Sequence, residues 1–278
     1  MSETMKCMLC GDNNLKILNY KKIIIQKCGN CEFQYIPEKF KYIKNDHFLN
    51  YFDKRNEDQN FELNELRREQ YKVDAEVISQ HLLKPNPKVL DVGCSAGMFI
   101  SEIYERCKTK YILGIDIDKS AIDFAREKYS DYADFLNINL LDVDDSNQFD
   151  LIVFRGTFQY LDQSLHESLR HIKRLLALNG KVLIFSLPST DAFLYRLLRN
   201  DWALFHPEMS LMFNEKSIKY LFSKNDMKID DLSYPYLNDV YSDIEKDYEN
   251  VKQIIMGKTL KSNPFWGSIM QIVVSNKV

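Results

Sequence analysis

Apolar positions in this chain follow two rhythms that alternate along its length. From about Phe61 to Leu83 they recur at helical spacing, with Leu63, Leu66, Tyr71, Val77, Ile78 and Leu82 as the apolar positions of a predicted helix. The run "LKPNPK" then ends it, because proline can neither donate a backbone hydrogen bond nor continue the turn. Beyond the break, short buried strands trade places with helices: "KVLDV" then "MFISEIYERC", "KYILGIDI" then "KSAIDFAREKYS", next "ADFLNI", and "FDLIVFRG" ahead of "SLHESLRHIKRLLALNG". That last helix carries its own punctuation. Ser164 and Glu167 form a capping box, Leu165, Leu169, Ile172 and Leu176 share a face, and Gly180 follows the end. "KVLIFSLP" is the next strand, and helical segments are expected over 190–200 and over 214–225, with Asn214 as the cap. "MKIDDLSY" and "SIMQIVVSNKV" read as two late strands. Such alternation predicts an α/β fold with a mostly parallel sheet covered on both faces, right-handed crossovers, and an antiparallel edge from the late strands.

The N-terminal stretch has a different logic. Cys7-x2-Cys10 is followed, after 17 residues, by Cys28-x2-Cys31. Paired thiolates two residues apart can converge on one tetrahedral Zn2+, and the β-branched segment "LKILNYKKIIIQK" between them suits a short hairpin. Gly11 and Gly29, each directly after a cysteine, suit tight turns around a metal. Residues 5–36 read as a zinc ribbon with Cys7, Cys10, Cys28 and Cys31 as ligands. Four sulfurs close the coordination sphere, so the metal is expected to be structural. Cys94 and Cys107 stand apart and read as small apolar fillers. The expected organisation is a ribbon over 1–40, a helical linker or cap over 41–84, and the α/β domain over 85–278.

Composition narrows the partners. Net charge is −3, with 37 Lys and Arg against 40 Asp and Glu, which argues against a wide nucleic-acid face. No apolar run approaches the roughly 18 residues of a membrane span, and "MSETMKCMLC" lacks the basic-then-apolar form of a signal peptide. A cytoplasmic protein is expected. An exposed ribbon serves a homodimer as readily as a substrate, so the chain is also a candidate dimer.

The chemistry concentrates in "VLDVGCSAGMF". Its centre, Gly93-Cys94-Ser95-Ala96-Gly97, matches G-x-S-x-G, the turn that exposes a nucleophilic serine in α/β-hydrolases. It is also a glycine-rich turn between a strand and a helix, which is how nucleotides are cradled. Asp116 decides between them. It ends the next strand, 23 residues after Gly93, where a carboxylate can accept hydrogen bonds from both hydroxyls of a ribose. The dinucleotide fingerprint needs a third glycine, and Phe99 and Ile100 stand where it would fall. Asp91, opening the loop, would repel a pyrophosphate but suits a cationic ligand bearing an amino acid. S-adenosylmethionine (SAM) has that character.

With these residues in view, "VLDVGCSAGMF", "ILGIDIDKSAIDFAR" and "FDLIVFRGTFQYLD" resemble class I SAM-dependent methyltransferases over about residues 85–190, and the fold implied is their Rossmann-like sheet. The resemblance implies that Gly93 and Gly97, with Cys94 and Ser95 between them, let the backbone approach the methionine part, and that Asp91 orders the loop and meets the ammonium. It implies that Asp116 takes the ribose hydroxyls, that Ile117 lies against adenine, that the adenine amine is met near Asn137–Asn139 (Asn139 above all), and that Arg155 sits where the cofactor's amino acid and the acceptor approach. A ribbon ahead of this core resembles methyltransferases of nucleotide-linked sugars and other surface-polysaccharide precursors. "WALFHPEMSLMFNEKSIKYLF" resembles their Pro-Glu-His…Phe segment, although Met209 stands where the histidine is expected and His206 precedes the proline. Relatives often place histidine where Tyr160 stands. The candidate general bases are therefore Tyr160, His206 and Glu208. The expected function is methylation of a sugar-like small molecule, O-methylation before C-methylation. Two alternatives stay open: an RNA methyltransferase gripping RNA with its ribbon, and a non-catalytic SAM-binding subunit.

Overall fold

Short strands with both faces apolar can only be buried centrally, and in this chain they line up in parallel. A computed structural model describes residues 6–20, 23–37, 49, 52, 61–82, 84–161, 165–199, 202, 204–205, 209–235, 244–258 and 267–277. In chain order the elements are β1 (Leu15–Tyr20), β2 (Ile23–Cys28), β3 (Gln34–Tyr35), α1 (Phe61–Gln80), β4 (Val89–Val92), α2 (Met98–Cys107), β5 (Ile112–Asp116), α3 (Lys119–Tyr129) and β6 (Asp134–Asn137). They continue with β7 (Phe149–Arg155), α4 (Leu165–Leu175), β8 (Leu176–Pro188), α5 (Phe193–Leu198), β9 (Leu211–Met212), α6 (Glu215–Lys224), β10 (Met227–Ser233), α7 (Ile244–Ile255) and β11 (Ile269–Asn276).

The chain forms two compact units, one of residues 44–157, 166–185 and 272–278, the other of residues 1–43, 158–165 and 186–271. In the first, the sheet unit, strands run in the order β11-β8-β7-β4-β5-β6. The pairs β4–β5, β4–β7, β5–β6 and β7–β8 are all parallel, giving a mostly parallel sheet with an antiparallel edge. The strand order reverses between β4 and β7, so the loops leaving those two strands flank a crevice at the carboxyl ends of the strands. Val89, Leu151, Val153, Leu183 and Phe185 of the sheet pack against Ile100 and Ile103 of α2, Ile122 of α3, and Ala75 and Ile78 of α1. Cys94 and Cys107 are buried in the same core, as expected of apolar fillers. The helix read over 61–83 is α1, and "MFISEIYERC" is α2 residue for residue.

One expectation gave way to long-range pairing. The helix read up to Gly180 ends at Leu175, and Leu176–Gly180 is already strand. Leu176 pairs with Phe149 of β7 before a bulge passes the register to Leu151 and Lys181, so the sheet takes the last helical turn. Ser164 of the capping box lies outside the described residues; Leu165, Leu169 and Ile172 are buried as the spacing demands.

The second unit contains the N-terminal four-cysteine segment. β1, β2, β3 and β9 form an antiparallel sheet, with β3 pairing β9 through Gln34–Met212 and Tyr35–Leu211. Asn214 caps α6 in a reciprocal box with Ser217. A core of Ile25, Ile36, Leu194, Trp202, Phe205 and Met212 joins the hairpin to the later segments.

Candidate functional site

The loop 93–97 is shaped by its neighbours. Gly93 has φ +74, and a Cβ there would lie 2.5 Å from the Thr157 side chain, so glycine is required both by conformation and by space. Ser95 takes φ +49 and donates its backbone N–H to Asp116 Oδ2 at 2.8 Å. Asp116 Oδ1 accepts from the backbone of Asp118 at 2.9 Å, and Asn137 Nδ2 donates to the Asp116 carbonyl at 2.9 Å. Burial raises the Asp116 carboxyl above the usual range, against the pull of the N–H groups of Asp118 and Ser95. Asp118 caps α3 by accepting from Ser120 and Ala121, and its other oxygen takes the backbone N–H of Phe52 at 2.8 Å. Ile117 remains exposed on the loop.

Asp91 is fully buried at the end of β4. Desolvation pushes its carboxyl up to about 7, opposed by the Arg155 guanidinium and reinforced by the Asp116 carboxylate. Arg155 ends β7 with its Nε 2.8 Å from Asp74 Oδ2 of α1, a fully buried acid, and with its guanidinium 4.1 Å from the centre of the Tyr71 ring. Asn139 is turned to a local task, accepting the Leu141 N–H as the cap of a short 3-10 turn.

The site thus brings Asp91, Gly93, Cys94, Ser95, Gly97, Asp116, Ile117 and Arg155 to one end of the sheet unit. Residues 90–182 match the family model of the methyltransferase domain. The match supports a methyltransferase domain over these residues. The chain is 28% identical over 176 residues to malonyl-[acyl-carrier protein] O-methyltransferase 1 of Ilyobacter polytropus, covering 60% of this chain and 63% of that one, so it spans under two thirds of that relative. A putative methyltransferase, solved in complex with the Haloferax volcanii Trm112 methyltransferase activator, shares the fold at TM-score 0.58 and 14% identity over 78% of this chain and 95% of its own. Geranyl diphosphate C-methyltransferase from Streptomyces coelicolor, solved with S-adenosyl-L-homocysteine, aligns at TM-score 0.50 and 15% identity over 74% of this chain and 77% of its own.

Three residues around the methyltransferase domain's loop escaped the sequence reading. Thr157 and Asp118 lie in irregular segments without a pattern of their own. Asp74 did carry a signal, since it stands three residues after Tyr71 and four before Ile78, an acid on the apolar face of its helix.

In the second unit the four cysteines converge. Cys7 Sγ lies 3.7 Å from Cys31 Sγ, Cys10 Sγ lies 3.5 Å from Cys28 Sγ, and all four sulfurs fall within 4.8 Å of one another. Four sulfurs about 2.3 Å from a tetrahedral cation would be about 3.8 Å apart, so the set fits a metal. The Cys7 thiol is drawn down to about 5 by the hydrogen bond from Cys31, whose own thiol is raised in exchange. Two knuckles present the sulfurs. In the first, Gly11 donates to the Cys7 carbonyl; in the second, Glu32 donates to the Cys28 carbonyl. The left-handed residue of the second knuckle is Glu32, with φ +63, while Gly29 is needed for its close approach to Asn14.

Of the candidate bases, Tyr160 packs against the apolar cluster of the second unit that includes Ala192 and Leu194. His206 and Glu208 lie outside the described residues. Met209, beside them in sequence, is buried in the same cluster.

Proposed function

We propose that the protein transfers a methyl group from SAM to a small, sugar-like acceptor such as a nucleotide-linked precursor of a surface polysaccharide, with oxygen preferred to carbon as the methylated atom. The observation that carries the cofactor half is the Asp116 bridge. One carboxylate both fixes the glycine loop through the Ser95 N–H and stands at the end of β5 where a ribose would meet it. SAM would supply an electrophilic methyl on a sulfonium, whose displacement needs no acid at the leaving group.

The chain's own residues then have separable roles. Asp91 receives the ammonium. Gly93, Cys94, Ser95 and Gly97 bring backbone close to the methionine part. Asp116 orients the ribose through its hydroxyls, Ile117 covers the adenine, and Asn139 lies near its amine. Alignment of acceptor and methyl carbon is the main contribution, and a hydroxyl acceptor must also lose a proton to a base. Tyr160, His206 and Glu208 are the candidates, with His206 the one whose ordinary titration range suits the task. SAM would supply the methyl group to the acceptor oxygen, and the base would take up the proton that the hydroxyl loses. The first relative's printed activity is O-methylation, which favours oxygen.

The metal is Zn2+, held by Cys7, Cys10, Cys28 and Cys31 in a closed, structural site. Organisation as a ribbon over 1–40, a cap over 41–84 and a catalytic domain over 85–278, a cytoplasmic location and a homodimeric state belong to the same reading. No helix among the described residues is long and apolar enough to cross a membrane.

Isotope-labelled SAM, incubated with the protein and cell extract split into small-molecule, RNA and protein fractions, tests the reading. Label in the small-molecule fraction that disappears with Asp116→Ala is expected. Label in RNA would refute the acceptor class, and failure to bind SAM would refute the cofactor.

A further inference from the structure

Helix α7, in the second unit, carries an exposed apolar stripe. Ile244, Tyr248, Val251 and Ile255 follow one another at intervals of four, three and four residues. At about 100° per residue they fall within about 60° of arc, the spacing of a coiled-coil seam. Yet Ile244 is 51% exposed, Tyr248 67% and Ile255 73%, while Val251 is partly buried at the margin of the unit's core. A continuous apolar row in contact with water marks an interaction surface.

The two flanks of the stripe differ. On one, Asp247 is buried and Ile254 packs against the cluster that holds Leu194 and Trp202, so that flank belongs to the body of the unit. On the other, Glu245 and Lys252 each directly follow a stripe residue, and both are exposed. The acid stands near the start of the helix and the base about two turns later. Glu249 holds the Lys252 ammonium on that flank at 3.2 Å.

We propose that this stripe is where two copies of the chain meet, with α7 of each lying antiparallel to the other across a two-fold axis. The inference rests on the homodimer of the reading above and deepens it by naming the interface. The charge pattern selects this occupant. In a parallel pair each flank meets the opposite flank of the other helix, and here that opposite flank is turned to the unit's own core. In an antiparallel pair each flank meets its own counterpart read in reverse. Lys252 then faces Glu245 of the partner subunit, and the two-fold axis makes the contact twice. Along the seam Tyr248 meets Val251 of the partner subunit, and Ile244 meets Ile255 of the partner subunit. Such self-complementarity is what a closed two-fold interface requires. A helix pair of this length buries on the order of 1,000 Å², the low end for specific association, so dissociation in the micromolar range is expected.

Sedimentation equilibrium of the whole chain across the micromolar range tests it. The wild type should dimerise. Tyr248→Asp, which sets a carboxylate in the middle of the seam, should weaken association at least about a hundredfold with circular dichroism unchanged. Glu245→Lys or Lys252→Glu alone sets like charges face to face at both contacts and should weaken it roughly five- to thirtyfold. Mixing those two single variants should restore association to within about threefold of the wild type, because each lysine then faces a glutamate. A monomeric wild type would overturn both the dimer and its interface. A dimer that Tyr248→Asp leaves intact would overturn the interface alone, and single variants that stay apart when mixed would overturn the antiparallel arrangement. Methyl transfer is read separately by the label assay.

Discussion

Replacing Asp91 by asparagine should make the ligand-free protein more stable and the cofactor complex weaker. The carboxyl is raised from 3.8 to about 7 because it is fully buried, with Arg155 offsetting and Asp116 adding to the effect. Between those two values the unfolded chain has released its proton while the folded chain keeps it, so stability falls as pH rises through the window from about 4 to about 7. Three pH units at about 1.36 kcal/mol each make the loss about 4 kcal/mol, and above pH 7 the whole of it persists. Asparagine has the same shape and no ionisation. The stability difference between Asp91→Asn and wild type should therefore move in the variant's favour by about 4 kcal/mol from pH 4 to pH 8. Urea unfolding of both proteins across that range, with the metal retained, reads this directly. An ammonium ligand should reverse the balance: wild-type SAM affinity should weaken below pH 7 as Asp91 takes up its proton, while the variant binds weakly throughout. Parallel stability profiles for the two proteins would refute the burial argument, and undiminished SAM affinity in the variant would refute the ammonium role. With both expected outcomes in hand, the site is a place where binding is maintained against stability, as buried functional groups commonly are.

Other outcomes follow from single contacts. Gly93→Ala, whose methyl would meet Thr157 at 2.5 Å in a left-handed backbone, should cost about 1–3 kcal/mol and weaken SAM binding, and adding Thr157→Gly should restore part of the urea midpoint. With the proposed Zn2+ at the four cysteines, chelation or Cys28→Ser should lower the bound metal below one equivalent and reduce Tm, because binding to such a cluster is coupled to folding; a purified chain without zinc, or an unchanged Tm after its removal, would argue against the site. Tyr160→Phe, removing only a hydroxyl from a ring packed among apolar residues, should change kcat less than about tenfold, whereas His206→Ala should lower it by about 10²–10⁴ with SAM affinity retained. The reverse ranking would make Tyr160 the base.

Sequence alone determined what local chemistry dictates. Helix α2 coincides with "MFISEIYERC" because its apolar positions have helical period and no competing partner. The parallel strands were legible because only central burial accommodates runs apolar on both faces, and the cysteine spacing because two thiolates two residues apart already form half a tetrahedral site. Asp91, Gly93 and Asp116 could be singled out since each stands at the end of a readable strand. What tertiary structure decided lies in pairs distant along the chain. Leu176–Gly180 has the composition of a helix end and became strand because Phe149 offered it a ladder. Leu211–Met212, too short for a strand signature, is strand because β3 pairs with it. Asp74, an acid on an apolar helix face that the sequence reading passed over, is paired with Arg155, 81 residues away. Local propensity amounts to a few tenths of a kcal/mol per residue, whereas an unpaired buried charge costs several kcal/mol. Where the two conflict, the distant partner decides.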